Sequence, residues 1–84
     1  MKHKVLSKKK CAEMAEEIGN LRYDSLSIFL NELSNKLAKD AREDYRKGRI
    51  RLSQELTEAF RKISDSVSNI YLAWKICESH EDNK

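Results

Sequence analysis

Residues 52–77, LSQELTEAFRKISDSVSNIYLAWKIC, decide the fold. Apolar side chains recur here at Leu52, Leu56, Ala59, Phe60, Ile63, Val67, Ile70, Ala73, Trp74 and Cys77. Steps of three and four residues return to one face of a helix that turns once per 3.6 residues, so the stretch is predicted to be a core-facing helix. Its character changes along its length. Up to Val67 the apolar positions keep to one face; from Ile70 through Tyr71, Leu72, Ala73, Trp74, Ile76 and Cys77 they cover nearly the whole circumference. A helix that is apolar all round expects neighbours on more than one side.

Working back from this helix, Gly48 separates it from a second long pattern. Leu26, Phe29, Leu30, Leu33 and Leu37 form an apolar stripe, continued weakly by Ala41 and Tyr45. Asp24 is the expected N-cap, with Tyr23 packing on Ile28 as a hydrophobic staple and residues 20–24 as a loop. Glu32 with Lys36 and Glu43 with Lys47 have the four-residue spacing of favourable helical pairs. Two long helices joined at a glycine fold most simply as an antiparallel hairpin, which sets residues 26–30 roughly opposite residues 70–77. Further back, Ser7 is the expected N-cap of a short first helix carrying Cys11, Met14, Ala15 and Ile18, stopped at Gly19. A helix of about a dozen residues is marginal alone in water, so it is expected to dock on the apolar end of helix three.

The predicted fold class is therefore all-α: a three-helix bundle built on a long antiparallel helical hairpin, with a short N-terminal helix. The 84 residues make one domain, 1–84, with 1–6 and 79–84 expected to be disordered. The absence of proline, the two glycines and the 37% of charged residues fit a helical chain with a solvated surface rather than a sheet. At this size a single core supplies only about 3–5 kcal/mol without help from a disulfide, a metal or a partner. The hairpin is expected to leave part of its stripe uncovered, at Leu37, Ala41, Leu52 and Leu56, for self-association, with a homodimer the expected state.

Two basic clusters are candidate contacts for a partner or for phosphate. Lys8, Lys9 and Lys10 occupy the first helical turn, where the helix dipole disfavours cations and exposed amides favour an anion. Arg46, Lys47, Arg49 and Arg51 surround Gly48, with Tyr45 beside them as a stacking surface. Asp40, Glu43, Asp44 and Glu55 dilute the second cluster, and charge runs are commonly only solvated, so nucleic acid is not the favoured partner. A helix-turn-helix reader is disfavoured too: the first turn of helix two offers Ser25, Leu26, Ser27 and Ile28 instead of base-reading side chains.

Cys77 and His80 form a C-x-x-H pair, but a structural zinc site wants four ligands, with only Cys11 and His3 left to supply them; no metal or other cofactor is expected. Two cysteines in a chain without a secretory signal are more often reduced and packed than bridged. Neither a glycine-rich phosphate loop nor a nucleophile, base and acid constellation is present, and acidic pairs such as Asp40 with Asp44 and Glu13 with Glu17 read as surface charge, so neither enzymatic activity nor a small-molecule substrate is expected. No stretch has the length of a signal peptide's apolar core or a membrane span, which leads to the expectation of a cytoplasmic protein.

Within residues 23–78, the segments YDSL, FLNEL, KLAKDA, KGR and AWKICE resemble a pattern found in small uncharacterised helical proteins of bacteria and phages. The resemblance implies the hairpin fold and a bacterial or phage origin, and brings no activity with it. The expected function is a non-enzymatic protein–protein interaction or assembly module that self-associates. The alternatives are an accessory protein contacting nucleic-acid backbones through its two basic clusters, and a small inhibitor docking on a larger enzyme.

Overall fold

A computed structural model describes residues 3–79, and the chain is all-α over them: α1 (Lys8–Gly19), α2 (Tyr23–Arg46) and α3 (Ile50–Ser79). Residues 3–6, expected to be disordered, are non-helical and exposed, and Ser79 closes α3; residues 1, 2 and 80–84, the rest of the expected disordered termini, lie outside the described residues. No helix among the described residues is long and apolar enough to cross a membrane.

Ser7 caps α1 as its sequence predicts, its Oγ accepting from the Lys10 amide at 3.2 Å. Gly19 is the last residue of the helix rather than a left-handed stop, and Asn20 is the C-cap in a right-handed conformation. The second helix begins two residues earlier than expected. Arg22, in extended conformation, precedes it, and Asp24 lies inside the first turn. No staple forms from Tyr23 to Ile28, because Ile28 is turned to solvent with 65% of its surface exposed.

The hairpin turn follows from one glycine. Gly48 has φ +81°, its amide donates to Tyr45 O, and the Arg49 amide donates to Asp44 O at 2.8 Å. This 6→1 and 5→2 pair of bonds is the Schellman ending, which needs a left-handed residue after the C-cap. It reverses the chain within four residues and lays α3 antiparallel on α2.

The two long helices meet along a line of small side chains. Ser27, Ser34 and Ala41, seven residues apart on α2, are buried, as is Ser53 on α3. Small residues at heptad spacing let two helix backbones come close. Their hydroxyls are satisfied: Ser27 donates to Asp24 O, Ser34 to Asn31 O, and Ser53 across the hairpin to Ala41 O, each at 2.8 Å. The Ser53 bond sets the register. It places Ser34 level with Phe60 and Ser27 level with Val67, so small residues of α2 face large ones of α3; residues 26–30 then stand opposite 64–68, nearer the turn than the expected pairing with 70–77. α3 is six residues longer than α2 and runs past its start.

The molecule is a slab of 50 × 27 × 13 Å between Cα atoms. Interhelical packing is carried by α2 and α3. The first helix does not land on the apolar end of α3: Cys11, Met14 and Ala15 are exposed, and Leu72 and Ile76 remain 57% and 60% exposed. A single layer cannot enclose large side chains. Ala41 is the one apolar residue fully buried among the described residues, while Leu26, Leu30, Leu37, Leu56, Ile63 and Trp74 are half-buried. The accessible surface is 6977 Å². A compact monomer of this 9.8 kDa mass exposes about 5,200 Å², leaving an excess of about 1,800 Å².

Candidate docking surfaces

Successive residues on a helix are about 100° apart, so the seam of small residues divides the hairpin into two faces. On one side lie the residues just before the seam positions: Leu26, Leu33 and Leu52, with Leu30, Leu37, Leu56 and Ile63 between them and the seam. This is a leucine face spanning both helices. Leu33 is 41% and Leu52 47% exposed. On the other side lie Ala38, Arg42 and Thr57, lining an open groove of about 810 Å³ whose floor is Ala41, Ser53 and Phe60.

The four residues expected to mediate self-association separate on this geometry. Leu37, Leu52 and Leu56 share the leucine face. Ala41 does not: it is 5% exposed, covered by α3, with its carbonyl bound to Ser53, and the little surface it keeps faces the groove rather than the leucine face. Its small side chain is what permits the close approach that buries it.

Of the basic residues at the turn, Tyr45 is 63% exposed, and Arg46, Lys47 and Arg51 are exposed without a carboxylate at ion-pair distance among the described residues. Arg49 differs, its Nη1 lying 3.3 Å from Asp44 Oδ1. Lys8, Lys9 and Lys10 are exposed at the start of α1, where the Lys10 amide is already taken by the Ser7 cap. The segment preceding them leads back to the hairpin turn: His3 lines a small cleft with Asp40, Glu43, Asp44, Lys47 and Arg49.

The expected helical pairs from Glu32 to Lys36 and Glu43 to Lys47 are not made. Lys36 turns instead to Asp40, with Nζ at 2.6 and 2.7 Å from the two carboxylate oxygens. This keeps the favourable four-residue spacing but reverses the order of charge. Asp40 and Asp44 are thus each held by a cation. Cys11 and Cys77 are free thiols; Cys77 is half-buried, and His80, its expected metal-binding companion, lies outside the described residues.

The chain matches no family model, no curated protein and no solved structure. Its surfaces carry the functional reading by themselves.

One cluster had no forecast in the sequence. At the open end of the hairpin the Arg22 guanidinium makes two bonds to Asp24, Nε to Oδ1 at 2.9 Å and Nη2 to Oδ2 at 2.8 Å, and lies over the Trp74 ring. Hydrogen bonding from Arg22 holds the Asp24 carboxyl below its ordinary value, helped by the Ser25 amide, and hydrogen bonding to Asp24 raises Arg22. The groove was equally unforeseen. Its signal was the placement of Ala38 and Thr57 one residue after Leu37 and Leu56, which becomes meaningful once the seam is known.

Proposed function

We propose that the protein is a non-enzymatic assembly module that works as a homodimer, two hairpins meeting through their leucine faces. The observation that carries this reading is the open core: Leu26, Leu30, Leu37, Leu56 and Ile63 are only half-buried within one chain and Leu33 and Leu52 beside them are exposed, and a second layer would finish covering them. Large exposed apolar patches are uncommon on stable monomers and mark interaction sites. A second copy is the fitting occupant on area. A standard interface takes about 800 Å² from each partner, and the excess surface of about 1,800 Å², shared between this face and the undocked α1, leaves room for one of that size. An isologous pairing is also self-complementary, each copy offering the apolar strip that the other lacks.

The test is the mass in solution by light scattering across a dilution series, with Leu33→Asp beside the wild type. A dimer that Leu33→Asp converts to monomer supports the reading; a wild type that is monomeric throughout the series removes it.

A second reading is contact with nucleic-acid backbones. It is supported by the exposure of Lys8, Lys9, Lys10, Arg46, Lys47 and Arg51. Phosphate contacts release counterions, so this reading requires an oligonucleotide to bind at low salt and to be lost steeply as salt rises. Absence of binding at low salt eliminates it.

A further inference from the structure

The groove on the opposite side of the seam has a composition unlike that of the leucine face. Its floor and near wall are Ala38, Ala41, Thr57 and Phe60, small side chains around one half-buried ring. Its rim on α2 is basic: Lys39, Arg42 and Arg46 line it, against the single carboxylate of Glu43. Ion pairs engage cations elsewhere on the hairpin, at Arg22, Lys36, Arg49, Arg61 and Lys75. The three rim cations have no carboxylate at ion-pair distance among the described residues.

We propose that this groove docks an acidic amphipathic helix of a partner protein, the partner's apolar side chains seated between Ala38, Thr57 and Phe60 and its carboxylates on Arg42 and Arg46. Three properties fit that occupant. The lining runs over residues 38–46 of α2, about 12 Å, which is two turns of a docked helix. Arg42 and Arg46 are four apart and project from one side of α2, matching carboxylates that repeat once per turn on a partner. The apolar floor distinguishes this occupant from a phosphate backbone, which brings charge but nothing to fill the space between Ala38 and Phe60. The groove lies across the seam from the dimer face, so occupancy of one leaves the other open, and the proposal stands whether or not the chain is dimeric.

The experiment uses the full chain and three fluorescein-labelled probes. Two are amphipathic helical peptides with one leucine pattern, their polar faces glutamate in one and lysine in the other; the third is a single-stranded oligonucleotide. Fluorescence anisotropy is expected to show binding of the glutamate peptide alone. Arg42→Glu/Arg46→Glu should weaken it at least about tenfold and create binding of the lysine peptide. Ala38→Phe, which fills the groove while keeping its charges, should weaken the glutamate peptide comparably. Circular dichroism confirms that each variant is helical, and unchanged mass in solution separates failure here from failure of the assembly. The proposal is overturned if the glutamate peptide does not bind, if either variant binds it as tightly as wild type, or if Leu33→Asp abolishes its binding. Preferential binding of the oligonucleotide, lost in the double variant, also overturns it and makes the rim a nucleic-acid surface.

Discussion

The guanidinium carbon of Arg22 lies 4.8 Å from the centroid of the Trp74 ring, joining the start of α2 to the overhanging end of α3. At the other end the hairpin is closed by covalent connection; here it is closed by a cation on an aromatic face. The ring is half-buried, so Trp74→Ala should cost less than the roughly 3–5 kcal/mol of a fully enclosed tryptophan, at about 2 kcal/mol in urea denaturation. Arg22→Ala should lower the melting temperature in the wild type, and by less once Trp74 is alanine, where only its pair with Asp24 remains to be lost. Equal effects in both backgrounds would show that the stacking is not energetically coupled.

Acid should loosen this same end. The Asp24 carboxyl is held below its ordinary value by Arg22, so the ion pair favours the fold wherever Asp24 is ionised in both folded and unfolded chains, above about pH 4. As pH falls through the depressed folded-state value, Asp24 takes up its proton and that contribution disappears. Asp24→Asn should be less stable than wild type near neutrality and should flatten the decline of melting temperature on the acid side. A variant that parallels the wild type at every pH would contradict the assignment.

The seam should reject bulk. Ser34 has no exposed surface and sits level with Phe60, so Ser34→Leu must push α2 and α3 apart, at a cost of about 1–3 kcal/mol by thermal or urea unfolding. Ser53→Ala is the milder change. It removes a bond across the hairpin while its backbone partner keeps its own helical bond, and should cost about 1 kcal/mol. If Ser34→Leu were as stable as Ser53→Ala, the close approach of the helices would be wrong.

Gly48 should tolerate a side chain sterically but not conformationally. A Cβ there meets nothing within 4 Å, whereas φ is +81°. Gly48→Ala should therefore cost about 1 kcal/mol through backbone strain alone, and Gly48→Asn less, since asparagine visits the left-handed region more readily. Chemical denaturation of the three proteins ranks them directly.

The hairpin was legible because its signals are local: the apolar period of α2 and α3, Gly48 between them, and Ser7 before α1. The position of the seam was not. Apolar periodicity centres the contact on Leu26, Leu30, Leu33 and Leu37, whereas the helices meet on Ser27, Ser34 and Ala41, displaced by about one residue around the helix. Periodicity reports which residues avoid water in the finished assembly, while backbone approach favours the smallest side chains within that arc. One chain in isolation satisfies the second preference and leaves the first half met. The same reasoning accounts for Ala41, read as a partner contact from its place in the stripe and buried instead because it is small. Likewise α1 was expected to dock because short helices need support; its length gives no direction for that docking. The Arg22, Asp24 and Trp74 cluster joins residues some fifty positions apart, a distance no local pattern spans.

The bond from Ser53 to Ala41 joins the two long helices close to the turn. Apolar seams resist separation but permit sliding, and this bond pins the pair against sliding where the chain already pins it against parting. The freedom that remains is angular: the far ends can spread like the arms of tweezers about a fixed pivot, with Arg22 on Trp74 as the catch. Hydrogen exchange should then be slowest beside Ala41 and Ser53 and quicken steadily toward Tyr23 and Ser79.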